Sequence, residues 1–383
     1  MTKKIRISSQ FDGGNIICRS AERADDIQLD IRHDNESQFY QWFYFRLTGA
    51  QDQDCRMRLM NAGGSAYTPG WEEYQAVASY DRENWFRVPT KYENGELIIE
   101  HTPYLNSVYY AYFAPYTMER HQDLIASAAD SDLTQVSVLG TTLDGQDIDL
   151  LTIGTPGEGK LSFWVTARQH PGETMAEWWM EGFIGRLLDE TDPVSRRLLE
   201  RAVFYLVPNM NPDGSRRGHL RTNAAGINLN REWDKASLEK SPEVFCVLQK
   251  MAETGVDFAL DVHGDENLPY NFIAGGEGAP GFTDHQQDLL DSYKSALAQI
   301  SPDFQTEFGY PVDAPGTADL SICTNYMAWK FGCLAMTLEM PFKDSKITPD
   351  PDFGWSPGRC IRLGVASLDA MWQVVDLIDK NRG

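Results

Sequence analysis

A histidine and a glutamate stand three residues apart in the segment ARQHPGETMAEWW, where an apolar run passes into a predicted helix. On a helical turn His170 and Glu173 would face the same side, where an imidazole and a carboxylate can close on one small cation. The Pro-Gly pair between them would shape a tight turn. By itself this short pattern is explained at least as well by a surface histidine beside a glutamate near a helix N-terminus.

A second histidine strengthens the metal interpretation. His263 ends the apolar run DFALDVH (257–263), and His170 also lies just past an apolar run. The carboxyl ends of buried strands are where open α/β sheets place functional residues. A catalytic zinc typically has three protein ligands and leaves one position for water. We therefore expect His170, Glu173 and His263 to bind one Zn²⁺ ion. The remaining histidines are predicted to be surface residues: His33, His101, His121, His219 and His285.

A candidate general base follows another apolar run. Glu339 ends CLAMTLE (333–339), where an ionised carboxylate is costly to bury unless it is paired or lies near a metal. A carboxylate beside a zinc-activated water can take its proton during attack on a carbonyl. The alternative is an exposed glutamate at the exit of a strand.

A loop-like segment, NPDGSRRGHLRTNAAGINLNREW (211–233), offers groups that could bind a substrate. A guanidinium presents a planar fork that matches a carboxylate, so Asn230 and Arg231 could hold one. Arg221 could polarise a carbonyl and stabilise the oxyanion that develops during attack. The alternative is a set of solvated arginines on a surface loop.

The elements that must position these residues fall into two predicted domains. Residues 1–118 contain short aromatic-rich segments separated by turns, which predict an all-β, sandwich-like domain. Residues 119–383 predict an α/β domain with a mixed central sheet flanked by helices. Its predicted elements are a hairpin over 136–154 turned by Asp144-Gly145, strands over 161–167, 202–208, 257–263 and 333–339, and helices over 173–190 and 364–380.

The helix predicted over 173–190 contains two tryptophans and several glutamates. Trp178 and Trp179 are expected to anchor it in the fold, and Glu177 and Glu181 to form its polar side.

Bulk composition excludes several classes of protein. A hydrophobic content of 42% and a charged content of 23% are typical of a soluble globular chain. The net charge of −22 and the absence of a Lys/Arg-rich run argue against nucleic-acid binding. No stretch approaches 18 apolar residues and the N-terminus resembles no signal segment, so we expect no membrane association and a cytoplasmic location with reduced thiols. The six cysteines form no CxxC pair, so no thiolate zinc site is indicated.

The motifs HPGE, NPDG, NLNREW, DVHG and TLE occur in this order, and with them the chain resembles the zinc carboxypeptidases of the carboxypeptidase A type. It is most similar to their cytosolic carboxypeptidase branch, because QWFYF and YFAPYT resemble the domain that precedes the catalytic unit there. The resemblance implies a zinc carboxypeptidase-like fold. It also implies a role for each matching residue: His170, Glu173 and His263 as zinc ligands, Glu339 as general base and acid, Arg221 at the scissile carbonyl, and Asn230 with Arg231 at the substrate's terminal carboxylate.

The expected function is that of a metallocarboxypeptidase, which hydrolyses the C-terminal bond of peptides or proteins with a zinc-activated water and Glu339 as base. One alternative is a zinc-dependent deacylase, an amidohydrolase acting on N-acyl amino acids. Another is a catalytically inactive carboxypeptidase-like binding module. The segment from NPDG to NLNREW and the preceding domain favour the peptidase, and the intact set of ligands with Glu339 argues against the inactive module.

Two positions depart from the pattern of the family. Tyr310 and Tyr326 are both candidates for its substrate-clamping tyrosine, and neither is cleanly placed. Asn325 stands where deglutamylating members carry an arginine, which argues against polyglutamate as substrate. Asp319 nearby would instead favour a basic side chain.

Overall fold

Two small β-sheets form the first domain. The computed structural model describes residues 4–379, and within them one sheet has the strand order β1-β4-β10-β6-β7 and the other β2-β3-β5-β9-β8. All pairs are antiparallel except β3 with β5. The strands are β1 Arg6–Ser8, β2 Ile17–Ser20, β3 Ile27–Asp30, β4 Tyr44–Thr48, β5 Cys55–Leu59, β6 Val77–Ser79, β7 Phe86–Arg87, β8 Thr90–Glu93, β9 Glu96–His101 and β10 Ser107–Ala111.

Aromatic side chains fill the core of this domain. Phe43, Phe45, Tyr110 and Tyr112 are all fully buried, and the ring centroids of Phe45 and Tyr110 lie 5.4 Å apart. In β5 the residues alternate between buried and partly buried positions, as expected for a strand with one face on a core. The predicted all-β domain is confirmed.

The second domain is built on a seven-stranded mixed sheet with the order β11-β12-β14-β13-β15-β17-β16 among the described residues. Its four central strands are parallel, and the pairs β11–β12, β12–β14 and β16–β17 are antiparallel. The strands are β11 Thr134–Thr141, β12 Asp147–Ile153, β13 Leu161–Ala167, β14 Ala202–Val207, β15 Phe258–Asp265, β16 Phe272–Gly275 and β17 Leu334–Pro341.

Helices cover both faces of this sheet, which explains why its central strands are continuous apolar runs. Phe163 points to the core beneath the helices over 175–187, 284–300 and 357–379, and the next residue, Trp164, points to the opposite core beneath the helices over 242–254 and 323–331. The predicted α/β class with a mixed sheet is confirmed. The helices are α1 Met118–Ala129, α2 Met175–Leu187, α3 Pro193–Arg201, α4 Pro212–Arg217, α5 Pro242–Thr254, α6 Asp284–Ile300, α7 Cys323–Phe331 and α8 Pro357–Asp379.

Several local boundaries differ from the predictions. Strands β15 and β17 each extend two residues past the predicted ends at His263 and Glu339, and α2 ends at Leu187, not at 190. Helix α2 begins at Met175, not at 173, because the Glu173 N–H closes a turn onto the His170 carbonyl. The segment predicted as a loop contains α4, which is capped by the Asn211 side chain. Helix α8 begins seven residues before the predicted 364, and Lys380, its predicted end, lies outside the described residues. No helix within 4–379 is both long and apolar enough to cross a membrane.

Candidate active site

Three neighbouring parallel strands bring the predicted metal and base residues to one edge of the sheet. His263 lies in β15 directly opposite Glu339 of β17. His170 follows β13, the strand on the other side of β15, and the turn after it places Glu173 at the start of α2. The carboxyl ends of parallel strands share an edge, so residues far apart in sequence meet there.

The three candidate ligands form a compact cluster. Glu173 lies between the two imidazoles, with Oε1 2.7 Å from His170 Nδ1 and Oε2 2.8 Å from His263 Nδ1. The two Nδ1 atoms are 3.2 Å apart, and the ligand atoms of all three residues lie within 4.8 Å of one another. All three side chains are buried. This is the only cluster of its kind among the residues that the structure describes.

Hydrogen bonds on the far side of each imidazole show that the cluster suits a cation. His170 Nε2 lies 3.0 Å from Asn228 Oδ1, and His263 Nε2 lies 2.7 Å from Asp261 Oδ2. Both partners are acceptors, so each Nε2 donates its proton and each Nδ1 faces Glu173, where a bound cation would take the place of an Nδ1 proton. Against the effect of burial, the charges of Asp261 and Glu173 raise the pKa of His263 well above its usual value. Burial and the charge of Arg221 lower the pKa of His170 to about 4, which favours its neutral form. Three acceptors facing one another fit a zinc ion.

Glu339 lies beside the cluster with an unused oxygen. Its Oε1 accepts a hydrogen bond from the Tyr310 hydroxyl at 3.2 Å, and its buried Oε2 has no hydrogen-bond partner among the described residues. Burial raises the pKa of this carboxyl well above its usual value against the opposing charge of His263, and the nearby Glu173 carboxylate adds to the rise. A carboxylate with a raised pKa holds a proton more readily, as a general base must.

The structure distinguishes the two candidates for the substrate-clamping tyrosine by their positions. Tyr310 lies on an exposed loop, and its hydroxyl bonds Asp265 at 2.5 Å as well as Glu339. Tyr326 instead packs edge-on against Trp329 on α7 and does not line the cleft. Only Tyr310 of the two is therefore placed to contact a substrate.

A cleft of about 610 Å³ opens over the cluster. The structure brings to its wall Arg221, predicted to act on the scissile carbonyl, and the two predicted substrate-binding residues, Asn230 and Arg231. Asn230 Oδ1 accepts from the Cys323 N–H at 2.8 Å, which leaves its Nδ2 facing the cleft. Arg231 donates to the Asn230 carbonyl at 2.6 Å. The Arg221 guanidinium makes no hydrogen bond or ion pair within the described part of the chain. The donors of all three residues are thus available to a ligand.

The residues that could select the substrate's C-terminal side chain do not all line the cleft. Asn325 lines the cleft, and its Nδ2 donates to the Asp319 carbonyl at 3.1 Å. Asp319 does not line the cleft, and its carboxylate accepts from the backbone N–H and the hydroxyl of Ser321. Glu277, which follows β16, does line it. A Cβ on Gly275 would clash with Leu290 Cδ2 and lie 2.6 Å from a carboxylate oxygen of Glu277, so the glycine leaves room for both side chains.

A buried ionic network lies behind the turn that carries His170. Glu177, predicted on the polar side of its helix, is fully buried and pairs with Arg168, His121 and Asn209. That prediction is wrong, because groups outside the helix compensate Glu177: Arg168 lies nine residues earlier, and His121 and Asn209 lie farther away in sequence. Arg168 also donates to the carbonyl of Pro171 at 3.0 Å, so the network holds the turn between His170 and Glu173.

The other predictions about the side chains of α2 are confirmed, whereas those about surface histidines are wrong in part. Glu181 is only partly buried and binds Arg120, and Trp178 and Trp179 are buried as predicted. The surface prediction is wrong for two histidines: His121 is 1% exposed and His219 is 4% exposed. Their ring nitrogens are hydrogen-bonded inside the protein, which makes burial possible. Of the others, His33 is exposed and the remaining two are partly buried.

Four residues of this site were not predicted from the sequence. Asp261 had a detectable signal, since an acid inside an otherwise apolar strand must be paired. Asn228 lay in the segment already singled out, two residues before Asn230. Tyr67 lines the cleft from the first domain, and Glu266 lines it just past β15. Nothing in the local sequence around Tyr67 indicates that it reaches a site whose first metal ligand, His170, lies 103 residues later.

Comparison with known proteins agrees with this geometry. The model of the cytosolic carboxypeptidase N-terminal domain matches residues 7–113, and that of zinc carboxypeptidase matches residues 121–352. An uncharacterised protein of Zymomonas mobilis is 51% identical over 97% of both chains. Cytosolic carboxypeptidase 6 of Mus musculus is 29% identical, over 77% of this chain and 59% of the mouse protein.

Solved structures resemble the whole described fold. A metallo-carboxypeptidase from Pseudomonas aeruginosa, in complex with (2-guanidinoethylmercapto)succinic acid, is 46% identical. It superposes with a TM-score of 0.95 over 97% of this chain and 100% of that one. A metallo-carboxypeptidase from Burkholderia cenocepacia is 47% identical, with a TM-score of 0.94 over 97% of this chain and 99% of the other.

Proposed function

Since the chain belongs to the zinc carboxypeptidase family, as a metallocarboxypeptidase with the N-terminal domain of the cytosolic carboxypeptidases, we propose that it releases single C-terminal residues from peptides or proteins. The observation that carries this proposal is the convergence of three groups in one cleft. They are the His-Glu-His cluster, the buried Glu339 carboxylate beside it, and two arginines with unengaged donors.

The substrate's terminal carboxylate is assigned to Asn230 and Arg231. The amide Nδ2 and the guanidinium together offer donors with the geometry that a carboxylate accepts. A site that holds a free carboxylate in this way discriminates against substrates without one, because its polar groups would be left unpaired. This supports removal of a terminal residue over cleavage within a chain.

The reacting groups are assigned to the inner part of the cleft. His170, Glu173 and His263 would hold a zinc ion, which would supply a Lewis acid able to lower the pKa of water at this place. Glu339 takes the proton of the attacking water and later delivers it to the leaving amine nitrogen. Arg221 polarises the scissile carbonyl and stabilises the developing oxyanion. The Tyr310 hydroxyl, already hydrogen-bonded to Glu339, closes over the bound substrate.

The substrate class is assigned from the charge of the cleft. Glu277 lines it together with Glu307 and Asp313, and Asn325 stands where an arginine would bind an acidic side chain. These three carboxylates outnumber Lys294, the one lysine among the described residues of the lining, so they disfavour polyglutamate and favour a C-terminal lysine or arginine, with Glu277 replacing Asp319 as the expected partner. The ligand of the Pseudomonas aeruginosa relative carries a guanidino group and a dicarboxylate, which is consistent with this preference.

We propose a cytoplasmic location for the enzyme. A cytoplasmic enzyme is consistent with six cysteines that are all free thiols. The domain boundary near residue 118 stays a prediction.

The test is mass spectrometry of a peptide library with varied C-termini after incubation with the zinc-loaded protein. We expect peptides with a free C-terminus to lose one residue and peptides of the same sequence with an amidated C-terminus to lose none. Glu339→Gln should retain zinc and release nothing, because it lacks a proton acceptor. Cleavage of N-acyl amino acids but not of peptides would favour the deacylase. Stoichiometric zinc with no product from either set would favour the inactive binding module.

A further inference from the structure

We propose that Asp34, a residue of the first domain, is a positioning residue for Arg221, an inference that rests on the proposed function. Asp34 is 3% exposed, and its carboxylate accepts three consecutive backbone N–H groups of the second domain. The N–H of Leu220 reaches Oδ1 at 2.7 Å, and those of Arg221 and Thr222 reach Oδ2 at 2.8 and 2.9 Å. The Thr222 hydroxyl adds a fourth bond at 3.1 Å.

This arrangement fixes the backbone from which Arg221 extends. Hydrogen bonds to a carboxylate are roughly twice as strong as neutral ones, and three in succession leave a segment little freedom. Arg221 is the middle residue of the three. The segment lies outside the regular helices and strands, so neither kind of element supplies these N–H groups with partners. We call the hydrogen bonds from Leu220, Arg221 and Thr222 to Asp34 the clamp. The clamp takes the place of secondary structure at the point where the site needs a precisely held side chain.

The first domain also guides the guanidinium itself. The Arg221 side chain lies 5.6 Å from the ring centroid of Phe39 and 5.4 Å from that of Tyr67. Attraction to these ring faces orients the guanidinium without consuming its N–H donors. Phe39 is tied to the clamp, because its carbonyl accepts the Asp34 N–H at 2.9 Å. Backbone and side chain of Arg221 are thus both held by the turn that contains Asp34.

His219 adds a second connection between the turn that contains Asp34 and the clamped segment. His219 Nε2 accepts the Asn35 N–H at 3.0 Å, and His219 Nδ1 donates to the Thr222 carbonyl at 2.9 Å. The buried His219 thus connects the residue after Asp34 to the last residue of the clamped segment. The two domains are locked together on both sides of Arg221.

The experiment compares Asp34→Asn with a matched control, Asp144→Asn. Asp144, a residue of the second domain, binds Arg217 near this segment but contacts none of the clamped N–H groups. In Asp34→Asn one acceptor becomes a donor facing N–H groups. We expect kcat to fall by about 10- to 100-fold, as for a small misplacement of a catalytic group, with KM and zinc content nearly unchanged. Asp144→Asn should retain wild-type kcat.

A double-mutant cycle separates positioning from general stabilisation of the fold. In an Arg221→Ala background, Asp34→Asn should lower kcat by less than about twofold, because the group that it positions is gone. An equal loss with and without Arg221 would overturn the inference. Thr222→Val removes one donor without changing Asp34 and should give a smaller loss of kcat with the same dependence on Arg221, which keeps the test decisive if Asp34→Asn folds poorly.

Hydrogen exchange tests the clamp without relying on catalysis. The amides of a peptide spanning 218–224 should exchange at least about tenfold faster in Asp34→Asn than in the wild type or in Asp144→Asn. Unchanged exchange would overturn the clamp. If the wild type releases no residue from any peptide, the proposed function fails, whereas the exchange rates still decide whether Asp34 holds the segment.

Discussion

Replacing Asp261 should weaken zinc binding while leaving the fold intact. Asp261 lies in β15 two residues before His263, on the same face of the strand, and its Oδ2 accepts the His263 Nε2–H at 2.7 Å. This bond fixes the ring orientation and the tautomer that presents Nδ1 to the metal. The carboxylate also makes the imidazole a better electron donor.

The size of the effect follows from the other contacts of Asp261. Its Oδ2 also accepts from the Gln169 amide, and its Oδ1 accepts from the Thr166 hydroxyl at 2.8 Å. An asparagine can keep an oxygen toward His263 and Gln169, and the hydroxyl can rotate to accept from its amide. Asp261→Asn therefore loses charge but keeps the hydrogen bond. Asp261→Ala loses both.

Loss of such a partner typically costs 10- to 100-fold in metal affinity. We expect about tenfold, about 1.4 kcal/mol, for Asp261→Asn, and about 100-fold, about 2.7 kcal/mol, for Asp261→Ala. Competition with a chromophoric chelator for zinc measures both. Asp319→Asn is the control, because that exposed carboxylate binds only Ser321. Affinities of both Asp261 variants within about twofold of the wild type would refute the reasoning.

Three further predictions concern substrate binding and stability. Arg231→Ala should raise KM about tenfold for peptides with a free C-terminus. This is the low end of the loss expected for a hydrogen bond to a charged group, because Arg231 is exposed. Amidated peptides should bind equally poorly to the wild type and to Arg231→Ala. Glu277→Gln should lower kcat/KM about tenfold for peptides ending in lysine or arginine; an equal loss for peptides ending in leucine would contradict a selective role. The carboxylates of Glu177 and Asp149 outweigh burial and raise the pKa of His121 from 6.5 to about 9. The stabilisation this gives is complete below pH 6.5 and lost as the pH rises through 9, so the wild type should lose on the order of 3 kcal/mol by urea unfolding over that range, and His121→Gln should not.

The sheet and the metal cluster could be predicted because local sequence determines them. A strand buried on both faces must be a continuous apolar run, and a polar residue at its end stands out. Leu161–Ala167 begins and ends where the apolar run does, and His263 and Glu339 face each other because both runs end at the same edge. Two such ends and a short His-Glu motif are enough to indicate a shared site.

Burial of charge could not be predicted in the same way. Glu177 follows the helix start with the spacing of an exposed residue, and only the fold supplies Arg168, Asn209 and His121 to compensate it. Tyr310 poses a related problem. It lies on a loop without periodicity, and its hydroxyl reaches Asp265 and Glu339 only through the path of that loop. Long-range pairing, not local pattern, decides both cases.

The site thus has two kinds of support, and they should be separable. The metal ligands lie on or beside central strands, and buried second-domain groups such as Asp261 hold them. Arg221, on the substrate side, extends from irregular backbone held by Asp34 and lies against aromatic rings of the first domain. Damage to the first support should therefore appear in zinc affinity, and damage to the second in turnover at full zinc occupancy. On this argument the first domain is part of the catalytic apparatus, because the residue proposed to stabilise the oxyanion is held in place from outside its own domain.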